Sequence, residues 1–245
     1  MIRNPYFLKL ILRVKPDLIM HIGGHHGQDG HGYKILIKNE SRIYWAEPIS
    51  TNAAIIRKLF PNQTVVEKLF WSRPDQNLKF YETSESEMSS AKIPKSQLMK
   101  SVVSTKNFLT TCIDAEIPRN TSKCLLVLDV QGGELEVLSG ATESFNKIKW
   151  IILEITKLEL DYEKVPKEVE LDEYMKKMNF IKSIHRESHN GAYKDQLYIK
   201  TRTRNAFLIS LSDWLFIKIR YSAHVIRFKH KPTRIWHCEI CVPTK

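Results

Sequence analysis

One apolar run constrains the fold of this chain more than any other feature. Residues 123–130 have the sequence KCLLVLDV, a nearly continuous apolar segment that ends in an acid. A strand that is apolar on both faces must be covered on both faces, as the central strand of a parallel sheet is. The run therefore predicts an α/β fold.

Similar short runs alternate with amphipathic stretches along most of the chain. Predicted strands cover residues 17–22, 42–46, 64–70, 78–82, 123–130, 150–155, 180–184 and 193–199. Predicted helices cover residues 28–38, 50–59, 135–144 and 169–178. This alternation favours a doubly wound, mostly parallel sheet with right-handed crossovers. A turn-like connection at residues 189–191 predicts an antiparallel edge.

The charge divides the chain unevenly. The net charge is +11, but residues 201–245 hold nine Lys and Arg against two acids. We therefore distinguish an N-terminal helical extension (1–16), a main domain (17–200) and a basic amphipathic helical tail (201–245). The tail has three interpretations: binding to an anionic membrane surface, packing on the core or on a second subunit, and binding of RNA phosphates. We regard RNA as the weakest of the three, because the tail lacks interleaved aromatic platforms.

The four cysteines are too few for a disulfide framework in a chain of this size. We find no secretory signal, and no run approaches the roughly 18–20 apolar residues of a spanning helix. The expected location is the cytoplasm, with the tail at the membrane periphery as one option. Neither the histidines near the N-terminus nor the lone C-x-x-C at 238–241 predicts a metal site.

A glycine-rich loop follows the first predicted strand and precedes a helix. Its sequence is Gly-Gly-His-His-Gly at positions 23–27, and Glu47 ends the second strand 20 residues after Gly27. Glycines allow a sharp turn and a close approach to a ligand, and an acid at the second strand end can accept hydrogen bonds from ribose hydroxyls. The pair predicts a nucleoside cofactor held by Gly23, Gly24, Gly27 and Glu47.

The loop departs from both phosphate-binding patterns. It matches neither G-x-G-x-x-G nor G-x-x-x-x-G-K-[ST]. S-adenosylmethionine carries no phosphate and tolerates a looser glycine loop, so it is favoured over NAD.

A longer motif carries a family resemblance. Residues 129–141 have the sequence DVQGGELEVLSGA, which resembles the D-V-[EQ]-G-x-E-x-x-V-L-x-G-A signature of FkbM-type methyltransferases. The loop HIGGHHGQDG, the WAEP segment at 45–48, Ile-Leu-Glu-Ile at 152–155 and the Ser89-Ser90 pair agree with it. The resemblance covers about residues 17–200. It implies a seven-stranded, Rossmann-like class I methyltransferase fold, S-adenosylmethionine as donor, and O-methylation of a hydroxyl on a sugar or secondary metabolite.

The acids at the strand ends are the candidate catalytic residues. Asp129 ends the central strand, where it can contact the methionine end of the cofactor, act as a base, or cap the following helix. Glu154 interrupts a buried strand, and a carboxylate there needs a partner or a cleft. We therefore expect Asp129 and Glu154 to be catalytic. His21 stands at the position where the family usually has Asp, so we expect a cofactor contact from His21. We also expect cofactor contacts from Asp129 and Gln131. Expected acceptor contacts are His25, His26, Glu134 and His189.

Three functions remain open at this stage. The first is an S-adenosylmethionine-dependent O-methyltransferase acting on a glycan or small-molecule hydroxyl, with a homo-oligomer as one possible state. The second is an RNA 2′-O-methyltransferase, suggested by the charge, although Val127 and Gln131 leave no well-placed lysine for the tetrad this chemistry often uses. The third is a non-catalytic module that binds the cofactor.

Overall fold

The structure is a computed structural model that describes Phe7, Ile11 and residues 15–156, 162–187 and 193–201. The predicted tail lies outside the described residues except for Thr201. His189 and the turn at 189–191 also lie outside them, as does most of the N-terminal extension.

The described residues form ten strands and six α-helices. In chain order the strands are β1 (Leu18–Ile22), β2 (Ile43–Ala46), β3 (Thr64–Val66), β4 (Leu69–Phe70), β5 (Asn77–Thr83), β6 (Val102–Thr111), β7 (Cys124–Leu128), β8 (Ile148–Thr156), β9 (Phe180–Glu187) and β10 (Tyr193–Lys200). The helices are α1 (Gly30–Leu36), α2 (Ser50–Leu59), α3 (Ser96–Met99), α4 (Ile113–Glu116), α5 (Glu134–Ser139) and α6 (Glu168–Lys177).

Seven of these strands form the main sheet, in the order β3-β2-β1-β7-β8-β10-β9. The five strands from β3 to β8 are parallel, whereas β10 is antiparallel to both β8 and β9. This confirms the predicted mostly parallel sheet and its antiparallel edge. The strand order reverses between β1 and β7, and ligands of open α/β sheets bind beyond the carboxyl ends of the strands at such a point.

The centre of the sheet is apolar on both faces, as the sequence predicts. Every residue of β1 and β7 is buried. One face packs against α5 and α6 through Val137, Leu138, Leu171 and Met175. On the other face, Trp45 and Tyr33 are buried with ring centroids 5.2 Å apart. Rigid central strands therefore hold the loops at their carboxyl ends in place.

A second sheet departs from the sequence-based prediction. Residues 64–70 were expected to form one strand, but they divide into β3 in the main sheet and β4 in a three-stranded sheet of order β4-β6-β5. Exposed Glu67 and Lys68 separate the two. Strand β6 was not predicted, because its mostly polar sequence VVSTKNFLTT lacks apolar alternation.

The helix expected over residues 135–144 is shorter than predicted. Helix α5 ends at Ser139, and a separate 3₁₀ turn covers Ser144–Asn146. Gly140 terminates the helix, and a Cβ atom there would lie 2.5 Å from the Trp71 carbonyl oxygen. The Trp71 carbonyl therefore leaves room only for glycine at the end of the helix.

Candidate active site

The glycine loop after β1 lies directly against the end of β7. Gly23 has φ +85°, and a Cβ atom there would lie 1.7 Å from the Asp129 carbonyl oxygen. The amides of Gly23 and Gly24 both donate to the Ala46 carbonyl, and the amide of Gly27 donates to the Gly24 carbonyl. Only glycine fits at position 23, because any side chain would push the two strand ends apart.

Glu47 lies at the carboxyl end of β2 and is 4% exposed. Its Oε2 accepts a hydrogen bond from the His25 amide at 2.8 Å, and its Oε1 accepts one from the Ile49 amide at 2.9 Å. Burial raises the pKa of this carboxyl to about 7, although both amides oppose that shift. The structure thus brings together the glycine loop and the strand-end acid whose spacing suggested a nucleoside site.

The two loop histidines lie on the same side of the switch point as Glu47. Their rings stack with centroids 3.8 Å apart. His25 Nε2 is hydrogen-bonded to Ser86 Oγ at 2.9 Å, and His26 Nε2 to Asn52 Oδ1 at 3.1 Å. Burial lowers the pKa of His25, and the neighbouring His26 lowers it further. The acceptor contacts predicted for the two histidines stay predictions.

Asp129, Gln131 and Glu154 form one hydrogen-bonded group after β7 and within β8. Gln131 Nε2 donates to Asp129 Oδ1 at 2.8 Å and to Glu154 Oε2 at 3.0 Å. Gln131 therefore bridges the two carboxyl groups. Burial raises both pKa values, and the charge of Asp129 raises that of Glu154 further. The two neighbouring negative charges therefore disfavour one another.

Glu134 is buried in the first turn of α5, where its Oε1 accepts a hydrogen bond from the Gly132 amide at 3.1 Å. Burial raises its pKa to about 7. The contact is with its own loop, so the side chain supports the turn that carries Gln131. The acceptor contact predicted for Glu134 stays a prediction.

His21 is enclosed beneath the glycine loop. Its ring stacks on Trp45 at a centroid distance of 4.9 Å, and its Nδ1 is hydrogen-bonded to the Tyr33 hydroxyl at 2.7 Å. Burial lowers its pKa to about 4, so the ring is neutral. The structure gives His21 a packing position, and its predicted cofactor contact is untested.

Sequence reasoning missed Asp195 and Asn52. Asp195 is 2% exposed and lies opposite Glu154 in the β8–β10 register, with Arg186 Nη1 3.8 Å from its Oδ2. It interrupts a buried strand as Glu154 does, so the same signal could have identified it. Asn52 is buried in the first turn of α2, where no sequence pattern marks it.

The segment between β5 and β6 forms a wall beside both loops. Ser86 contacts His25, and Ser90 Oγ donates to the Gln131 carbonyl at 2.8 Å. Ser89 Oγ accepts a hydrogen bond from the Thr83 amide at 3.1 Å. Lys92 pairs with Glu136 and lies over the Trp71 ring. Of the Ser89-Ser90 pair in the family resemblance, Ser89 therefore bonds within this segment, and Ser90 bonds the segment to the loop after β7.

Within the ranges that the structure describes, no cluster of three or more metal-binding side chains occurs. The same part of the chain contains no helix long and apolar enough to span a membrane.

The seven-stranded, mostly parallel sheet is the fold of a class I methyltransferase, and the sequence comparison agrees. The family model described as "Methyltransferase FkbM domain" matches residues 21–182. The chain therefore belongs to the FkbM methyltransferase family, as the motif at 129–141 predicted. No curated protein matches the chain significantly.

Solved methyltransferase structures are similar to this chain at low sequence identity. A precorrin-6y C5,15-methyltransferase from Geobacter metallireducens is 14% identical, with a TM-score of 0.43 over 80% of this chain and 87% of that one. A putative tRNA (m1A22) methyltransferase from Streptococcus pneumoniae is 12% identical, with a TM-score of 0.43 over 95% and 90%. TrmK from M. capricolum, in complex with S-adenosylhomocysteine, is 8% identical, with a TM-score of 0.39 over 92% and 87%.

S-adenosylmethionine is the cofactor, and the residues present fit it. Glu47 offers a buried carboxylate at the end of β2, and the loop around Gly23 leaves no room for a side chain. Buried acids also gather at the carboxyl edge of the sheet: Asp29, Glu47, Glu134 and Asp195. Such an edge suits a positively charged sulfonium and ammonium.

Proposed function

We propose that this methyltransferase transfers the methyl group to a hydroxyl of a sugar, a glycan or a similar metabolite. The observation that carries the proposal is the hydrogen-bonded group of Asp129, Gln131 and Glu154 at the carboxyl end of β7. An alcohol has a high pKa, so its methylation benefits from a positioned base. A neutral glycan hydroxyl can approach this acidic edge without charge repulsion.

The residues around the cleft have separable roles in this mechanism. When bound, the cofactor supplies an electrophilic methyl group on a sulfonium, and breaking the bond between that methyl group and the sulfur leaves a neutral thioether. As the hydroxyl oxygen of the acceptor bonds to the methyl carbon, Asp129 accepts the hydroxyl proton. Gln131 donates to both Asp129 and Glu154 and orients the two carboxyl groups. Glu47 holds the ribose at the end of β2.

The same acids weigh against RNA as the acceptor. Glu154 and Asp195 lie side by side in the β8–β10 register, next to Asp129. A phosphate near the reacting hydroxyl would face these carboxylates at close range. The lysine-containing tetrad of many 2′-O-methyltransferases also has no counterpart at Val127 or Gln131.

A methyl-transfer screen tests the proposal. The full chain is incubated with S-adenosylmethionine and separate pools of neutral oligosaccharides, nucleotide sugars and RNA, and the products are analysed by mass spectrometry. We expect a gain of one methyl group in a saccharide pool and none with Asp129→Asn. Methylation of RNA alone would replace the glycan proposal with the RNA alternative. Cofactor binding by calorimetry without transfer to any pool would favour the non-catalytic module.

A further inference from the structure

A buried amide close to Glu47 has a nitrogen without a hydrogen-bond partner among the described residues. Asn52 is 3% exposed, and its Oδ1 accepts a hydrogen bond from His26 Nε2 at 3.1 Å. Its Nδ2 is buried and has no hydrogen-bond partner among the residues that the structure describes. A buried N–H without a partner is unfavourable, so such groups in folded proteins call for an explanation.

The surroundings of Asn52 show where this donor lies. Asn52 follows Glu47 by five positions, in the first turn of α2. Its side chain is near enough to Glu47 to favour the ionised carboxylate. Because His26 occupies the oxygen of the amide, the nitrogen end is the one left for Glu47 and for a ligand. A donor and an acceptor thus lie side by side at the end of β2.

A hydroxyl group is the complement of such a pair, since it donates one hydrogen bond and accepts another. A carboxylate alone can only accept from a ribose hydroxyl. We propose that Asn52 Nδ2 and Glu47 together bind one ribose hydroxyl of the cofactor, which donates to Glu47 and accepts from Asn52. His26 is then a positioning residue that fixes the orientation of the Asn52 amide. This inference rests on the cofactor-binding part of the proposed function.

The pairing would make the site selective for an intact ribose. A site built to hydrogen-bond a hydroxyl rejects an analogue that lacks it, because the buried polar groups are then left unpaired. Here the Asn52 nitrogen would lose its acceptor, and Glu47 would lose one of its donors. We therefore expect stronger discrimination against one deoxyribose analogue than a single acid would provide.

The test is calorimetric and needs no acceptor. Affinities for S-adenosylhomocysteine and for its 2′-deoxy and 3′-deoxy analogues are measured with the full-length wild type and with Asn52→Asp. This variant keeps an oxygen for His26 but replaces the donor with a second acceptor. We expect Asn52→Asp to bind S-adenosylhomocysteine at least tenfold more weakly. The loss should shrink to threefold or less for the deoxy analogue that lacks the recognised hydroxyl.

Asn52→Ser is the second variant, because serine is tolerated in a first helical turn but is too short to reach the hydroxyl. Circular dichroism and the thermal midpoint verify that each variant is folded. If either folded variant binds S-adenosylhomocysteine as the wild type does, Asn52 serves only His26 and the inference is overturned. Equal losses for all three ligands would also overturn it. If the wild type itself binds none of the three, the proposed cofactor site fails as well, so the two failures are distinguishable.

Discussion

The main-chain amide of His25 donates to Glu47 Oε2 at 2.8 Å, although the two residues are 22 positions apart in the chain. This contact closes the glycine loop of β1 onto the end of β2. It also leaves the carboxylate buried, with a pKa raised to about 7. The group expected to hold the ribose is therefore sensitive to pH in the neutral range.

Cofactor affinity should rise with pH. Only the ionised Glu47 can accept hydrogen bonds on both oxygens, so affinity for S-adenosylhomocysteine should increase up to about tenfold per pH unit below about 7 and level off above it. Calorimetry between pH 5.5 and 8.5 measures this. Glu47→Ala should weaken binding by roughly 1–3 kcal/mol and flatten the profile.

Glu134→Gln is the matched control, because burial also raises the pKa of Glu134 to about 7 while its carboxylate bonds to the Gly132 amide. Its profile should keep the slope of the wild type. If the pH dependence of affinity disappears in Glu134→Gln and persists in Glu47→Ala, the titrating group is Glu134, and the prediction for Glu47 is wrong.

The two acids after β7 and in β8 should differ in their effect on turnover. Asp129→Asn removes the proposed base and should lower kcat by roughly 100- to 10,000-fold. Glu154→Gln keeps a polar group of the same size that can hydrogen-bond to Gln131, so kcat should fall by less than about tenfold. Steady-state rates with the acceptor found in the methyl-transfer screen measure both effects. The opposite order would make Glu154 the base.

Gly23 should tolerate no side chain. Alanine there would have to adopt φ +85° with its Cβ atom 1.7 Å from the Asp129 carbonyl oxygen, so Gly23→Ala should cost about 3 kcal/mol or more in the free energy of unfolding. Gly24→Ala is the control. Its Cβ atom would meet the side chains of Ile56 and Trp45 at 3.0 Å and the Ala46 carbonyl oxygen at an ordinary 3.8 Å, so about 1 kcal/mol is expected. Urea denaturation compares the two, and equal costs would contradict the close approach of β1 and β7.

His21 should make the fold sensitive to acid. The pKa of His21 is about 4 in the folded chain and near 6.5 in the unfolded chain. Between these pH values the unfolded chain binds a proton that the folded chain does not bind. The free energy of unfolding should therefore fall as the pH drops from about 6.5 towards 4, and the loss due to His21 should be about 2–3 kcal/mol at pH 4.5. His21→Gln should lose less stability than the wild type over this interval. Parallel stability curves from urea denaturation would argue against a buried neutral ring.

Much of the fold follows from local sequence patterns. The apolar run at 123–130 predicted β7, and the 3.6-residue periodicity predicted α2 with the observed bounds. The spacing from Gly27 to Glu47 predicted that the glycine loop and this acid lie close together, because two successive parallel strands end at the same edge of the sheet. These patterns are visible in sequence because burial of one face repeats at the period of the element.

The remainder depends on contacts between distant parts of the chain. Strand β6 is mostly polar and is a strand because it pairs with β4 and β5, which no local pattern records. Asp195 joins the acidic edge only because β10 pairs with β8 in a register that places it opposite Glu154.

The sequence by itself determined the class of fold, the methyltransferase family and the strand ends at which we propose the cofactor site, since burial patterns and glycine turns are local properties. Only the tertiary structure decided which polar groups share the site. It enclosed His21 under the loop, left the Asn52 amide beside Glu47, and joined Asp129 to Glu154 through Gln131. Hydrogen-bond partners and pKa values depend on distances across the sheet, and those distances exist only once the strands have paired.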